Sequence, residues 1–160
     1  MPDLYEIIYV SRRKPEVTDA HVVDKIVLPS GRTNRRLDIT GCLWFDKHRF
    51  LQVLEGPQPA VEQIYANIER DTRHTEVELL RRGPLASRSF GRWGMCSVTG
   101  ESRETIADLA AIYSGRTTKL PDSPAWRADQ VRFKELADRI RARLVRLTGN
   151  RPDSKAVNGG

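Results

Sequence analysis

Residues 4–10 (LYEIIYV) suit a strand. Alternation puts Tyr5, Ile7 and Tyr9 on one face and Leu4, Glu6, Ile8 and Val10 on the other. The period then changes. Val22, Val23, Ile26 and Val27 follow Thr18 or Asp19, either of which can cap a helix. Pro29 and Gly31 are expected to end or kink that helix, because proline lacks an amide hydrogen and glycine is a breaker. Residues 39–46 (ITGCLWFD) and 49–55 (RFLQVLE) predict two strands joined tightly around Asp46-Lys47-His48, a hairpin. Glu55-Gly56-Pro57 is turn chemistry. Pro59 suits the first turn of a second helix, whose Val61, Ile64, Tyr65 and Ile68 fall at i, i+3, i+4 and i+7. Further strands are predicted at about 76–81 and 92–98.

The order β-α-β-β-α-β-β predicts an α+β chain: a ferredoxin-like mixed sheet with one extra strand and two helices on one face. The other face carries Ile8, Val10, Leu51 and Val53 and must be covered, because a bare apolar sheet face is a hazard or a binding site. The C-terminal part supplies the cover. Residues 102–113 predict a short helix, and Ser123 can cap a longer one over 124–148. There Phe133, Leu136, Ile140, Leu144 and Leu147 form one stripe, with Arg139, Arg141, Arg143 and Arg146 mostly off it. The expected organisation is a core domain over 1–100, a helical extension over 101–148 and a disordered tail over 149–160.

Composition narrows the class. In 160 residues, 39% are hydrophobic and 30% charged, which fits one folded domain with an appendage. No apolar run approaches the roughly 20 residues a membrane span needs. The start lacks the basic region of a signal peptide, and two cysteines cannot build a disulfide framework; a cytoplasmic protein with reduced thiols is expected. The net charge is 27 − 21 = +6. Residues 125–150 hold seven basic and three acidic residues, so +4 of that excess lies in the late helix.

Gln52 shares a face with Phe50 and Leu54, and the expected topology points that face toward the helix layer. A buried amide left unpaired costs on the order of 1–3 kcal/mol. It is bonded to a backbone group or at a strand edge, or else it reads a polar ligand between sheet and helices. Tyr9 raises the same alternatives, a core tyrosine with a satisfied hydroxyl or a phenol in a site. His21, His48 and His74 have no metal-ligand spacing. Neither a phosphate loop, a dinucleotide fingerprint nor a nucleophile set stands out.

IIYVS with Tyr9, Ser30-x-x-x-Asn34, ITGCLWF, FLQVLEGP, IERDTRH at 68–74 and SFGRWGM at 89–95 together resemble the ordered landmarks of the BLUF domain, a blue-light sensor using flavin adenine dinucleotide (FAD). The resemblance covers about residues 4–98. It implies an isoalloxazine ring held between the two helices. It implies that Tyr9 is the photochemical donor and Gln52 the amide that rearranges. Asn34 would bond the polar edge of the ring, Ser30 would lie beside it, and Arg73 and His74 would line its pyrimidine side. Trp93 and Met95 would relay or tune the response from the last strand. The implied protein is a sensor and not an enzyme, signalling to a downstream protein or through homo-oligomerisation, with no membrane or nucleic-acid partner expected. The rival from another class is a flavin-free ferredoxin-like module whose basic C-terminal helix binds nucleic acid or an acidic protein.

Overall fold

The computed structural model describes residues 3–91, 93–99, 103–132 and 134–148. Its sheet is built from β1 (Leu4–Arg13), β2 (Thr40–Phe45), β3 (Arg49–Pro57), β4 (His74–Leu85) and β5 (Cys96–Thr99), in the order β4-β1-β3-β2-β5. The first four strands give the ferredoxin-like order, and β5 adds a parallel neighbour to β2, which makes the sheet mixed as expected. The β2–β3 hairpin closes where Asp46 Oδ1 accepts the amides of His48 and Arg49, at 2.6 and 2.7 Å. Tyr9 faces Gln52 across the central β1–β3 pair.

One face of the sheet carries α1 (Asp19–His21), a π-helical stretch (Val22–Val27), α2 (Leu28–Arg36) and α3 (Gln58–Glu69). Thr18 caps the first turn through its hydroxyl, 3.2 Å from the His21 amide. Of the expectation that Pro29 and Gly31 end or kink this helix, the ending does not occur: the helix runs on to Arg36. The chain widens to π geometry just before Pro29, and the Lys25 carbonyl, one turn earlier, accepts Arg73 Nη1 at 3.1 Å. A side chain from the turn before β4 thus serves a carbonyl that proline cannot. Gly31 is buried under the chain that leads into β5, near the Met95 backbone.

The strand limits also shift. β4 runs on through Gly83 and Pro84 because it is an edge strand paired only with β1, where proline is tolerated. Its register slips between Ile8 and Tyr9 and between Val10 and Arg12, which places bulges beside Tyr9. β5 begins only at Cys96, so Trp93 and Met95 precede the strand. Residues before it are held otherwise: Glu55 accepts the Ser89 and Phe90 amides, and Asn34 Nδ2 donates to Gly94 O. Arg92, expected in that strand, lies outside the described residues.

The second face is covered by α4 (Arg103–Tyr113), α5 (Pro124–Arg132) and α6 (Lys134–Thr148). Ser123 Oγ caps α5 at the Trp126 amide, 3.1 Å away. Ile8, Val10, Leu51 and Val53 share one core with Ile106, Leu109, Trp126, Leu136, Ile140 and Leu144, so the predicted cover is present. The single helix expected over 124–148 is described as two, with residue 133 between them. Phe133, the side chain of Leu147 and the expected tail over 149–160 lie outside the description.

The arginines of α6 are less free than their spacing implies. Arg143 is buried and forms a two-pronged pair with Glu6, itself fully buried on β1; Arg81 reaches the same carboxylate at 2.9 Å. Arg139 donates to Ser89 O and lies 4.4 Å from the Trp93 ring centroid. Arg141 is engaged by Asp138 and Gln130. The basic surface that the rival reading requires is therefore largely turned onto the protein itself.

Candidate functional site

Between the sheet and the helices α2 and α3 lies a cavity of about 250 Å³. Its floor is Tyr9 from β1, Leu43 from β2, and Phe50 and Gln52 from β3. Its walls are Ile26, Ser30 and Asn34 on one side and Ile64, Asn67 and Ile68 on the other. Lys25, Asp71, Arg73 and His74 stand around it. Strand parity places Tyr9 and Gln52 here, since both belong to faces that point at the helices.

The Tyr9 hydroxyl donates to Gln52 Oε1, and Gln52 Nε2 donates to Met95 Sδ at 3.5 Å. A thioether is a weak acceptor, so one end of this amide is held firmly and the other loosely. Burial pushes the Tyr9 phenol far above its usual range, and the charge of Asp71 adds to the effect. Tyr9 therefore stays protonated at neutral pH. Its ring lies 5.8 Å from Tyr65 and 6.1 Å from His74.

Asn34 is buried at the end of α2, and its Nδ2 is committed to Gly94 O at 2.9 Å. That leaves Oδ1 as an acceptor on the cavity wall. Asp71 grips Arg73 through both carboxylate oxygens, which holds the Asp71 carboxyl below its ordinary range and raises the guanidinium further. His74 Nε2 meets the Ile68 carbonyl at 2.6 Å, and Nδ1 meets Ser11 Oγ at 2.7 Å. A carbonyl only accepts, so Nε2 carries the hydrogen and a neutral ring accepts the serine hydroxyl at Nδ1. His74 is thus both a wall of the cavity and a strut between α3 and β1.

Of the eight residues singled out in the sequence, Tyr9, Ser30, Asn34, Gln52, Arg73 and His74 line this one cavity. Met95 reaches it through Gln52. Trp93 does not: its ring packs with Phe90 and Arg139 against the cover of the other sheet face. Alternation placed both on one strand, whereas a loop can turn neighbours in different directions. Ser11 was not among the candidates, and Asp71 entered only within the IERDTRH landmark, with no role at the site. Ser11 was detectable as the polar member of the Tyr5, Ile7, Tyr9 face, and Asp71 as a carboxylate two residues before Arg73.

The lining fits a flat aromatic ring with a polar edge. Ile26, Ile64 and Ile68 give the walls apolar area, while the Asn34 and Gln52 amides and the Arg73 guanidinium supply polar partners for an edge. At about 250 Å³ the space suits the ring of a dinucleotide and not the whole molecule. The class defined is a small ferredoxin-like domain holding an aromatic cofactor between its helices.

The sequence model of the BLUF family, "sensors of blue-light using FAD", matches residues 4–96, and the chain belongs to that family. Its function is that of a blue-light flavin sensor, and its cofactor is FAD. The chain is 34% identical over 90 residues to a photoactivated adenylate cyclase subunit beta of Euglena longa, covering 56% of this chain and 10% of that one. It is 33% identical over 97 residues to the blue light- and temperature-regulated antirepressor BluF of Escherichia coli, covering 61% and 24%. It thus spans a tenth to a quarter of those relatives. The BLUF protein BlrB in its dark state superposes with a TM-score of 0.62 at 25% identity, covering 91% of this chain and 98% of that one. These matches do not favour the flavin-free reading.

Proposed function

We propose that Tyr9 and Gln52 form the photochemical switch of this sensor, and that the rearranged amide signals through Met95 and the loop before β5 to the C-terminal helices. The observation that carries the proposal is the chain of contacts Tyr9–Gln52–Met95 at the cavity floor. Bound FAD supplies an oxidant when excited by blue light. Tyr9 is the donor. Its phenol cannot release a proton alone at neutral pH, because burial holds the anion too high in energy. Loss of an electron removes that barrier, so the two leave together, and Gln52 Oε1 is positioned to take the proton at Tyr9 Oη. When the charge returns, Gln52 can settle in a second arrangement, since its two ends offer different partners. Arg73 and Asn34 would hold the polar edge of the ring, with Asp71 and Gly94 keeping each in place. Ser30 and His74 would complete its walls.

No bond is left altered, so the output needs an element whose equilibrium differs between the two states. Trp93 and Arg139 support α6 as that element, since they join the loop carrying Met95 to the helix. The signal would pass to a downstream protein or to a second copy of the chain, and no catalytic role is assigned. Relatives named as cyclase subunits and as an antirepressor favour a downstream effector.

A light-minus-dark absorption difference spectrum tests the switch. A reversible red shift is expected in the wild type. Gln52→Leu, which keeps approximate volume but removes both amide ends, is expected to bind flavin and lose the shift. If that variant cycles like the wild type, Gln52 is structural and the proposal fails.

A further inference from the structure

Cys42 on β2 and Cys96 on β5 are direct partners in the parallel pair. Both side chains pack into the covered face, Cys42 fully buried and Cys96 partly open. Their thiols interact, and burial pushes the Cys42 thiol well up. Paired strands lie about 4.7–4.9 Å apart, inside the roughly 4.4–6.8 Å between Cα atoms that a disulfide spans. Cys96 directly follows Met95, whose sulfur takes the loose end of Gln52. Cys42 directly precedes Leu43 on the cavity floor. The pair therefore stands behind the cavity, where a four-residue edge strand is attached to the sheet.

We propose that Cys42 and Cys96 form a reversible dithiol–disulfide site, oxidised by a low-molecular-weight disulfide such as glutathione disulfide, and that the bridge tunes recovery of the flavin site. The first half stands on the strand pairing alone. The second rests on the switch proposed above.

The partly open partner, Cys96, opens the reaction. Cys96 thiolate attacks one sulfur of glutathione disulfide, forming a mixed disulfide and releasing one glutathione thiolate. Cys42 gives its proton to solvent, attacks the Cys96 sulfur and expels the second glutathione thiolate. The net change is two thiols and one disulfide becoming one protein disulfide and two thiols of glutathione. Burial of Cys42 makes the second step the slow one. Cys96 is partly open, which leaves the bridge within reach of thiol reductants. Its effect is mechanical. It staples the residue after Met95 to β2 and opposes any displacement of Met95 when Gln52 rearranges.

The test uses the flavin-loaded full chain, kept dark with excess glutathione disulfide. Both titratable thiols should disappear and the intact mass should fall by two hydrogens, with no adduct retained. Cys42→Ser should stop at glutathione on Cys96, and Cys96→Ser should take up none. The bridged protein should recover in the dark severalfold faster, and dithiothreitol should restore the original rate. Unreacted thiols, a lasting adduct on wild-type Cys96, or only intermolecular disulfides would overturn the site. A bridge that forms without changing recovery would overturn the tuning. A protein with no photocycle would count against the switch instead, and thiol counting would still decide the bridge.

Discussion

On the helix-facing side of the sheet, Tyr9, Gln52 and Asn34 surround a cavity of about 250 Å³. On the opposite side, Ile8, Val10, Leu51 and Val53 close under α4–α6, and the cleft beside Trp126 and Asp129 holds only about 20 Å³. The polar groups differ as much as the space does. Gln52 has a weak sulfur acceptor for one of its ends. Glu6, by contrast, is held by two guanidinium groups, and Glu55 by two backbone amides and the Thr40 hydroxyl. One face keeps a ligand-sized space and an amide with two affordable arrangements. The other is filled and tied down by charge, so that a small change on the first face can be read against a rigid reference.

The largest effect should come from removing the cover. Deleting residues 101–160 exposes Ile8, Val10, Leu51 and Val53. Burial of such side chains is worth roughly 1.5–3 kcal/mol each, so these four alone amount to about 6–12 kcal/mol. That is comparable with the whole stability of a typical domain, about 5–15 kcal/mol. The truncated protein is expected to associate or lose cooperative unfolding, as read by sedimentation and urea titration. A monomer with an unchanged midpoint would show that the cover is dispensable.

Next comes the tie between β1 and α6. Glu6→Ala leaves Arg143 buried without its carboxylate, and breaking a buried pair in this way costs about 3–5 kcal/mol. Limited proteolysis should find α6 cut sooner than in the wild type while Tyr9, on the other face, keeps its bond to Gln52. Equal protection of 134–148 in both proteins would mean that apolar packing alone seats the helix.

A glycine pair sharpens the contrast at the join between cavity and cover. A Cβ at Gly94 would lie 2.6 Å from Gly31 O and 2.9 Å from Arg35 Cγ, whereas one at Gly31 meets nothing nearer than 3.9 Å. Gly94→Ala must push the Trp93–Met95 loop off α2 and weaken the Asn34 bond. Overpacking of this kind costs about 1–3 kcal/mol. Gly31→Ala should be close to neutral. The readout is the unfolding midpoint together with the dark absorption maximum, and identical behaviour of the two variants would sink the argument.

Much of this was legible in the sequence because strands have a strict period of two. Parity along β1 and β3 assigned Tyr9 and Gln52 to one face and Ile8, Val10, Leu51 and Val53 to the other. From that followed the need for a cover. What failed was what parity and local propensity cannot encode. Pro29 and Gly31 look like breakers, but the helix passes them through a π-helical stretch and an arginine supplied from beyond α3. Glu6 and Arg143 lie 137 residues apart, and no local pattern announces that pair. Trp93 and Met95 alternate like strand residues, yet side-chain and backbone bonds from Glu55, Gly41 and Asn34 hold their segment outside the strand.

The smallest expected effect separates the two faces by pH. On the covered face, burial holds the Glu55 carboxyl above its ordinary value of 4.5, although the Ser89 and Phe90 amides pull it down. At the cavity, its bond to Arg73 holds Asp71 below its ordinary 3.8. Linkage gives these shifts opposite signs. A carboxyl raised by folding takes its proton more readily in the folded state, so the Glu55 contribution improves as pH falls from neutral toward 4.5. A carboxyl lowered by folding contributes stability that is complete above 3.8 and is lost as pH falls through its folded value. Asp71 and Arg73 are partly exposed, so solvent screening keeps that term small. Urea midpoints of wild type, Glu55→Gln and Asp71→Asn between neutral and about pH 3 resolve the two. The wild type should gain on Glu55→Gln during mild acidification and then level off. It should hold its margin over Asp71→Asn until below 3.8 and then lose it. Parallel curves for all three would show that the two faces differ in packing alone, with Glu55 and Asp71 as bystanders.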